Sequence, residues 1–263
     1  MGSHGYRTAG ILTALLVVAP GLQAQEAGRE DAQLYRVTLL QAAPGRLLDL
    51  IGVLRERFPE DDPASPLIMR HSQGDRWDLM VLGPSDALEA GLEGAAPVDF
   101  LRLVRGSSPV PGTAGPEAAP QPLSTDPLDE LIGWTEDHWA WGPHADTVRA
   151  RAEGAGLFHI EMFVALPGER GALIEQRGME NEYLRRIQRP DNLLWVRHAG
   201  ADWDAFTIGF HANLQAYAEP SPLSQEERDR ETVAVGFPGP GQIGAYLRRF
   251  LAWHNDTLAV VAR

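Results

Sequence analysis

The segment LYRVTLLQAAPGR, beginning at Leu34, returns as LFHIEMFVALPGER at Leu157, 123 residues later. In each, apolar residues alternate and then give way to Pro-Gly and a helical pattern. Alternation at period two makes a strand with one buried face, and Pro-Gly then turns the chain into a helix. Shorter signatures recur in the same order. RHSQGDRWD from Arg70 matches RHAGADWD from Arg197, and GWTEDHWAWG from Gly133 matches AWHNDTLAVV from Ala252. Their offsets of 127 and 119 stay close to 123, so the chain reads as one folding unit used twice with small insertions.

Within each unit the first strand covers Leu34 to Gln41 or Leu157 to Ala165, and a helix follows Pro44-Gly45 or Pro167-Gly168. Second strands at Leu67–His71 and Leu193–His198 lead through glycine loops to third strands at Trp77–Leu82 and Trp203–Ile208. A later helix precedes the last strand, HWAWG or TLAVVA. This β-α-β-β-α-β order is the ferredoxin-like unit, and the fold class is α+β. Two such units, each with helices on one sheet face, bury their open faces against each other as a barrel. The expected boundaries are 31–142 for the first repeat, 143–156 for a connecting helix and 157–263 for the second repeat. A Pro/Gly-rich insertion occupies 107–127.

The start of the chain reads differently. Arg7 precedes the apolar run from Ile11 to Ala19, which is too short to span a bilayer and ends in small residues near Ala24. Residues 1–24 therefore read as a cleaved signal peptide, and the expected location is exported, periplasmic or secreted, with no membrane span in the mature chain. The sequence has no cysteine, which removes disulfides, thiolate ligands and a thiol nucleophile. All basic residues are arginine, which removes lysine chemistry, and a net charge of -13 repels nucleic acid. Small molecules, metals and protein partners, including a second copy in a homo-oligomer, stay open.

The order of elements and its repetition resemble the dimeric α+β barrel superfamily, which includes haem-degrading and antibiotic-biosynthesis monooxygenases, small isomerases and chlorite-dismutase-like haem proteins. The resemblance covers nearly all of the mature chain at the level of element order. No member's catalytic signature is present. The resemblance implies a place for a ligand, the barrel interior, and a monooxygenase- or isomerase-like activity.

Features shared by both units belong to the common fold; function is sought where the units differ. Phe158, Ile160, Met162 and Val164 form an apolar face expected under the helices, leaving His159, Glu161 and Phe163 to line the interior. His159 and Glu161 lie about 7 Å apart along one strand face, a spacing that suits proton transfer or two metal ligands. They are the expected catalytic pair, with Arg36, Arg70 and Arg197 fixing an acidic or carbonyl group. A metal site would need further ligands, such as His138 or His254. Trp77, Trp139, Trp141, Trp195 and Trp203 are the expected aromatic walls for a flat ligand.

Three readings follow. One is an enzyme acting on a small molecule through His159 and Glu161. Another is a non-catalytic protein holding haem or another planar ligand between tryptophans and one histidine. The last is a protein-interaction module with a filled barrel. Haem and a divalent metal are the cofactors these readings invoke. No phosphate loop, dinucleotide fingerprint, HExxH or G-x-S-x-G motif is present.

Overall fold

Alternating apolar residues need a surface to bury against, and eight strands supply it by closing on themselves. A computed structural model describes residues 32–60, 62–73, 75–85 and 127–263. The signal segment expected at 1–24 lies outside these residues, as does the insertion expected at 107–127 except for its last residue. The first half contains β1 (Gln33–Ala42), α1 (Leu47–Arg57), β2 (Leu67–Gln73), β3 (Leu79–Pro84), α2 (Pro127–Leu131) and β4 (Ile132–Gly142). After α3 (Ala145–Ala152) come β5 (Leu157–Ala165), α4 (Arg170–Arg186), β6 (Leu193–Ala199) and β7 (Ala205–His211). The chain finishes with α5 (Leu214–Ala218), α6 (Gln225–Ala234), α7 (Ile243–Leu247) and β8 (Leu251–Val261).

The strands form a closed barrel in the order β1-β3-β2-β8-β5-β7-β6-β4, and β4 pairs back onto β1. Every pairing is antiparallel, and closure removes the exposed edges that an open sheet would present. The two halves meet along two seams, β2 with β8 and β4 with β6.

Matching contacts recur in the two halves. Asp78 accepts a hydrogen bond from the Ala42 amide at 2.8 Å, and Asp204 accepts one from the Ala165 amide at 2.9 Å. The amides of Asp78 and Asp204 donate to the carbonyls of Leu40 and Phe163, both at 2.7 Å. Each Trp-Asp corner thus ties the third strand to the first by its carboxylate and its backbone. The Arg-His doublets do not correspond in the same way. His71 and Arg197, not Arg70 and Arg197, donate their amides to the carbonyls of Asp78 and Asp204, at 3.0 Å in each case. The second loop is one residue shorter, and a slip of one residue moves a side chain to the other face.

The faces of the barrel are the reverse of the sequence expectation. Phe158, Ile160 and Met162 join Tyr35, Val37, Leu39, Trp195, Phe206 and Ile208 in one buried cluster drawn from both halves, which is the barrel interior. The cause is solvation: a closed interior holds no bulk water, so it takes the uninterrupted apolar face of β5 and leaves His159 and Glu161 outside. Each large side chain buried there contributes about 1.5–3 kcal/mol. Outside the barrel, α1 lays Leu50, Ile51 and Leu54 against Leu40, Ile68 and Val81. On the other half, α4 sets Leu173 against Phe163 but also buries Gln176 and Arg177. Among the described residues, no helix is long and apolar enough to cross a membrane.

Candidate functional site

α4 presents Gln176 and Arg177 inward, over a polar outer face of β8-β5-β7. Register places Asp256 of β8 and Thr207 of β7 on either side of Glu161, with His159 two residues away on the same face. His159 Nε2 lies 3.6 Å from Asp256 Oδ1. Thr207 Oγ1 donates to Glu161 Oε2 at 3.3 Å, and Arg177 reaches the same oxygen at 3.5 Å. Arg177 also pairs with Glu180, hydrogen-bonds Gln176 and lies 4.7 Å from the Phe163 ring centroid. These contacts hold a guanidinium only 2% exposed over the Glu161 carboxylate.

The surroundings displace the titrations in different directions. Burial raises Glu161 above the ordinary carboxylate range, against the pull of Arg177 and His159. For His159, burial alone would lower the pKa, but the contact with Asp256 and the charge of Glu161 outweigh it and leave it raised. Asp256 is lowered, chiefly by its contact with His159. The two carboxyls are thus pushed apart, Glu161 upward and Asp256 downward, while His159 moves upward beside them. Tyr217 of α5 stands between two histidines, with ring centroids 5.2 Å from His159 and 5.1 Å from His211. Opposite His159 is Gly209, where a Cβ would come within 2.7 Å of Asn192 Oδ1 and 3.0 Å of His211 Nε2. Only glycine lets those groups close in beside the imidazole.

Counterpart positions in the first half hold a different arrangement. Arg36, Thr38 and Leu54 stand 123 residues before His159, Glu161 and Arg177. Arg36 pairs with Asp137 at 2.6 Å, and Thr38 donates to the same carboxylate at 2.6 Å. Trp139 lies against the guanidinium with its centroid at 5.1 Å, and Leu54 packs in the apolar cluster with Leu40, Ile68 and Val81. That half is a closed ion pair under an apolar helix. The second keeps the aspartate, as Asp256, and surrounds it with titratable groups.

His159 and Glu161 therefore belong to one site, but on the outer face under α4 and not in the interior. The three arginines expected to converge there are separate. Arg36 serves Asp137, Arg197 pairs with Asp204 at 2.7 Å, and Arg70 follows the interior residue Met69 and so faces outward on β2. Arg177, which the sequence reading passed over, is the cation at the site. Among the metal ligands considered, His138 is fully buried on the other face of the sheet and cannot join. His254 lies 3.4 Å from Asp256 but is not among the ligand atoms grouped around it. Ligand atoms of His159, Glu161 and Asp256 all lie within 4.8 Å of one another.

The tryptophans are dispersed. Trp195 stacks on Phe206 at 5.0 Å in the interior, whereas Trp139 and Trp141 lie outside β4 against Arg36 and His198. Trp77 and Trp203 occupy the two corners and line a cavity of about 590 Å³ whose described lining includes no histidine.

No family model matches the sequence, and no curated protein matches it. Among solved structures the chain is similar to an anthrone oxidase-like protein, with 10% identity over 88% of this chain and 92% of that one and a TM-score of 0.47. A heme-binding protein from Thermus thermophilus is 13% identical over 88% and 92% of the two chains, with a TM-score of 0.45. A mutant chlorite dismutase from Candidatus Nitrospira defluvii is 12% identical over 88% and 93%, with a TM-score of 0.42. Similarity at this level transfers no activity.

Proposed function

We propose that the protein is an exported α+β barrel, one ferredoxin-like unit used twice, that binds a small molecule at the outer face of its second unit and transfers a proton there. His159, held by Asp256, carries the proton; Glu161 is the neighbouring carboxyl, and Arg177 positions it. The observation that supports this most is the contrast at matching positions: an Arg36–Asp137 pair closed by Thr38 in one half, and His159, Glu161 and Asp256 within 4.8 Å in the other. A reactant reaches the site past Asp256, whose side chain is half exposed.

Ring opening of 5-nitrobenzisoxazole tests the reading, because it needs only one general base. The base takes the C3 proton, the N–O bond breaks, and a cyanophenolate leaves. The neutral imidazole is the base, so the rate rises with pH through the raised His159 pKa. His159→Gln brings the rate down to that of buffer. Full activity in that variant would reject the assignment.

A second reading is favoured by the same 4.8 Å grouping: His159, Glu161 and Asp256 as ligands of a divalent cation. Glu161, Glu180 and Asp256 outnumber Arg177, which suits a positive ion. Calorimetric titration with zinc or manganese chloride separates the readings. Binding lost in both His159→Ala and Glu161→Gln supports the metal, and no binding to the native protein removes it.

A further inference from the structure

The cavity of about 590 Å³ lies on the opposite face of the sheet from His159, at one mouth of the barrel. Its floor is Leu39 and Met162, interior residues at matching positions of the two halves. The corner tryptophans Trp77 and Trp203 form walls, each only 1% exposed, and Trp253 adds a third aromatic that is 47% exposed. The size falls in the range of about 300–1,000 Å³ that suits small molecules.

At the rim two carboxylates face one guanidinium. Asp75 and Asp202 stand on the two corner loops, with Asn255 donating to Asp75 at 2.7 Å. The one cation on the described lining, Arg76, is already engaged: it pairs with Glu136 at 2.8 Å and lies 5.0 Å from the Trp134 ring centroid. No ion pair to Asp202 is found among the described residues. The exposed Trp253 ring and two carboxylates over an apolar floor attract an organic cation twice, through the ring quadrupole and through charge. An anion gains neither term, and the chain's net charge of -13 repels it further.

We infer that this mouth is a binding site for an organic cation, an ammonium or quaternary ammonium carried on a compact apolar body. The apolar part sits on Leu39 and Met162, and the cationic head lies between Trp253 and the carboxylates of Asp75 and Asp202. The site stands apart from proton transfer at His159, so either assignment can fail without the other.

The test is a titration of the full chain with benzyltrimethylammonium chloride, followed by the indole N–H resonances of the tryptophans. Benzyl alcohol and benzenesulfonate serve as neutral and anionic comparisons. The expected result is a saturable shift at Trp77, Trp203 and Trp253, with affinity at least tenfold above that for benzyl alcohol and no response to benzenesulfonate. Asp75→Asn with Asp202→Asn, both at the rim and outside the packed core, weakens the cation about tenfold. Added salt weakens it too. Equal affinity for cation and alcohol, a double variant that binds as the native protein does, or no shift up to about 10 mM would overturn the inference.

Discussion

His138 and His159 are histidines of one sheet that differ in the face they occupy. His138 is fully buried in the interior, and burial lowers its pKa; His159 sits among carboxylates and is raised. The consequences for stability have opposite signs. A lowered folded-state pKa means that the unfolded chain takes up the proton first, so stability from a neutral His138 is present above the ordinary value near 6.5 and is lost as pH falls below it. His159 contributes below that value, and its contribution is lost as pH rises through the raised folded pKa. Melting curves from pH 8 to 5 should therefore show His138→Leu losing less stability on acidification than the native protein. Equal slopes would mean that His138 is solvated. Asp256 was not legible as the partner of His159, because the two are nearly a hundred residues apart and only the pairing of β5 with β8 brings them together. The H-x-E spacing on β5 was legible, since two residues on one strand always share a face.

Two matching helices do different work. Leu54 of α1 completes an apolar seam, whereas Arg177 at the corresponding position of α4 lies over Glu161. Arg177→Leu alone strands a buried carboxylate and should cost about 3 kcal/mol in urea unfolding. Adding Glu161→Thr recreates the Leu54 and Thr38 pairing of the first half and should restore stability to within about 1 kcal/mol of native. A double variant as unstable as the single one would show that Arg177 holds the helix by other contacts. Strand glycines are likewise unequal to helix glycines. A Cβ on Gly142 would lie 2.2 Å from the Trp195 ring, itself stacked on Phe206, so Gly142→Ala should cost about 1–3 kcal/mol. Gly52 and Gly178, on helices with nothing within 4 Å, should gain about 1 kcal/mol each as alanine. The strands were legible from their alternation, but not which face turned inward. Period two says that faces differ, and only closure decides which is dry. The polarity of EQRGMENEYLRR in α4 was the available sign that this helix covers a polar face.

As a whole, the barrel places its apolar packing and the His159, Glu161 and Asp256 cluster on opposite faces of one sheet. Its interior is packed with side chains from both halves, and the seam between β4 and β6 rests on only three register pairs, against seven between β5 and β7. Amides along that seam should exchange with deuterium before those of β5; simultaneous exchange would mean that the barrel opens only as a unit. The mixture of strands and helices was legible across this whole scale, because hydrophobic periodicity and turn residues are local. The slip between Arg70 and Arg197 was not, because one residue fewer in a loop leaves the motif intact and turns its side chains over. The outer-face site is tested most directly by following the imidazole of His159 through a pH titration by NMR, in the native chain and in Asp256→Asn. The expected midpoint lies above 6.5 and falls when the aspartate is removed. A midpoint at or below 6.5, unchanged by that substitution, would contradict it.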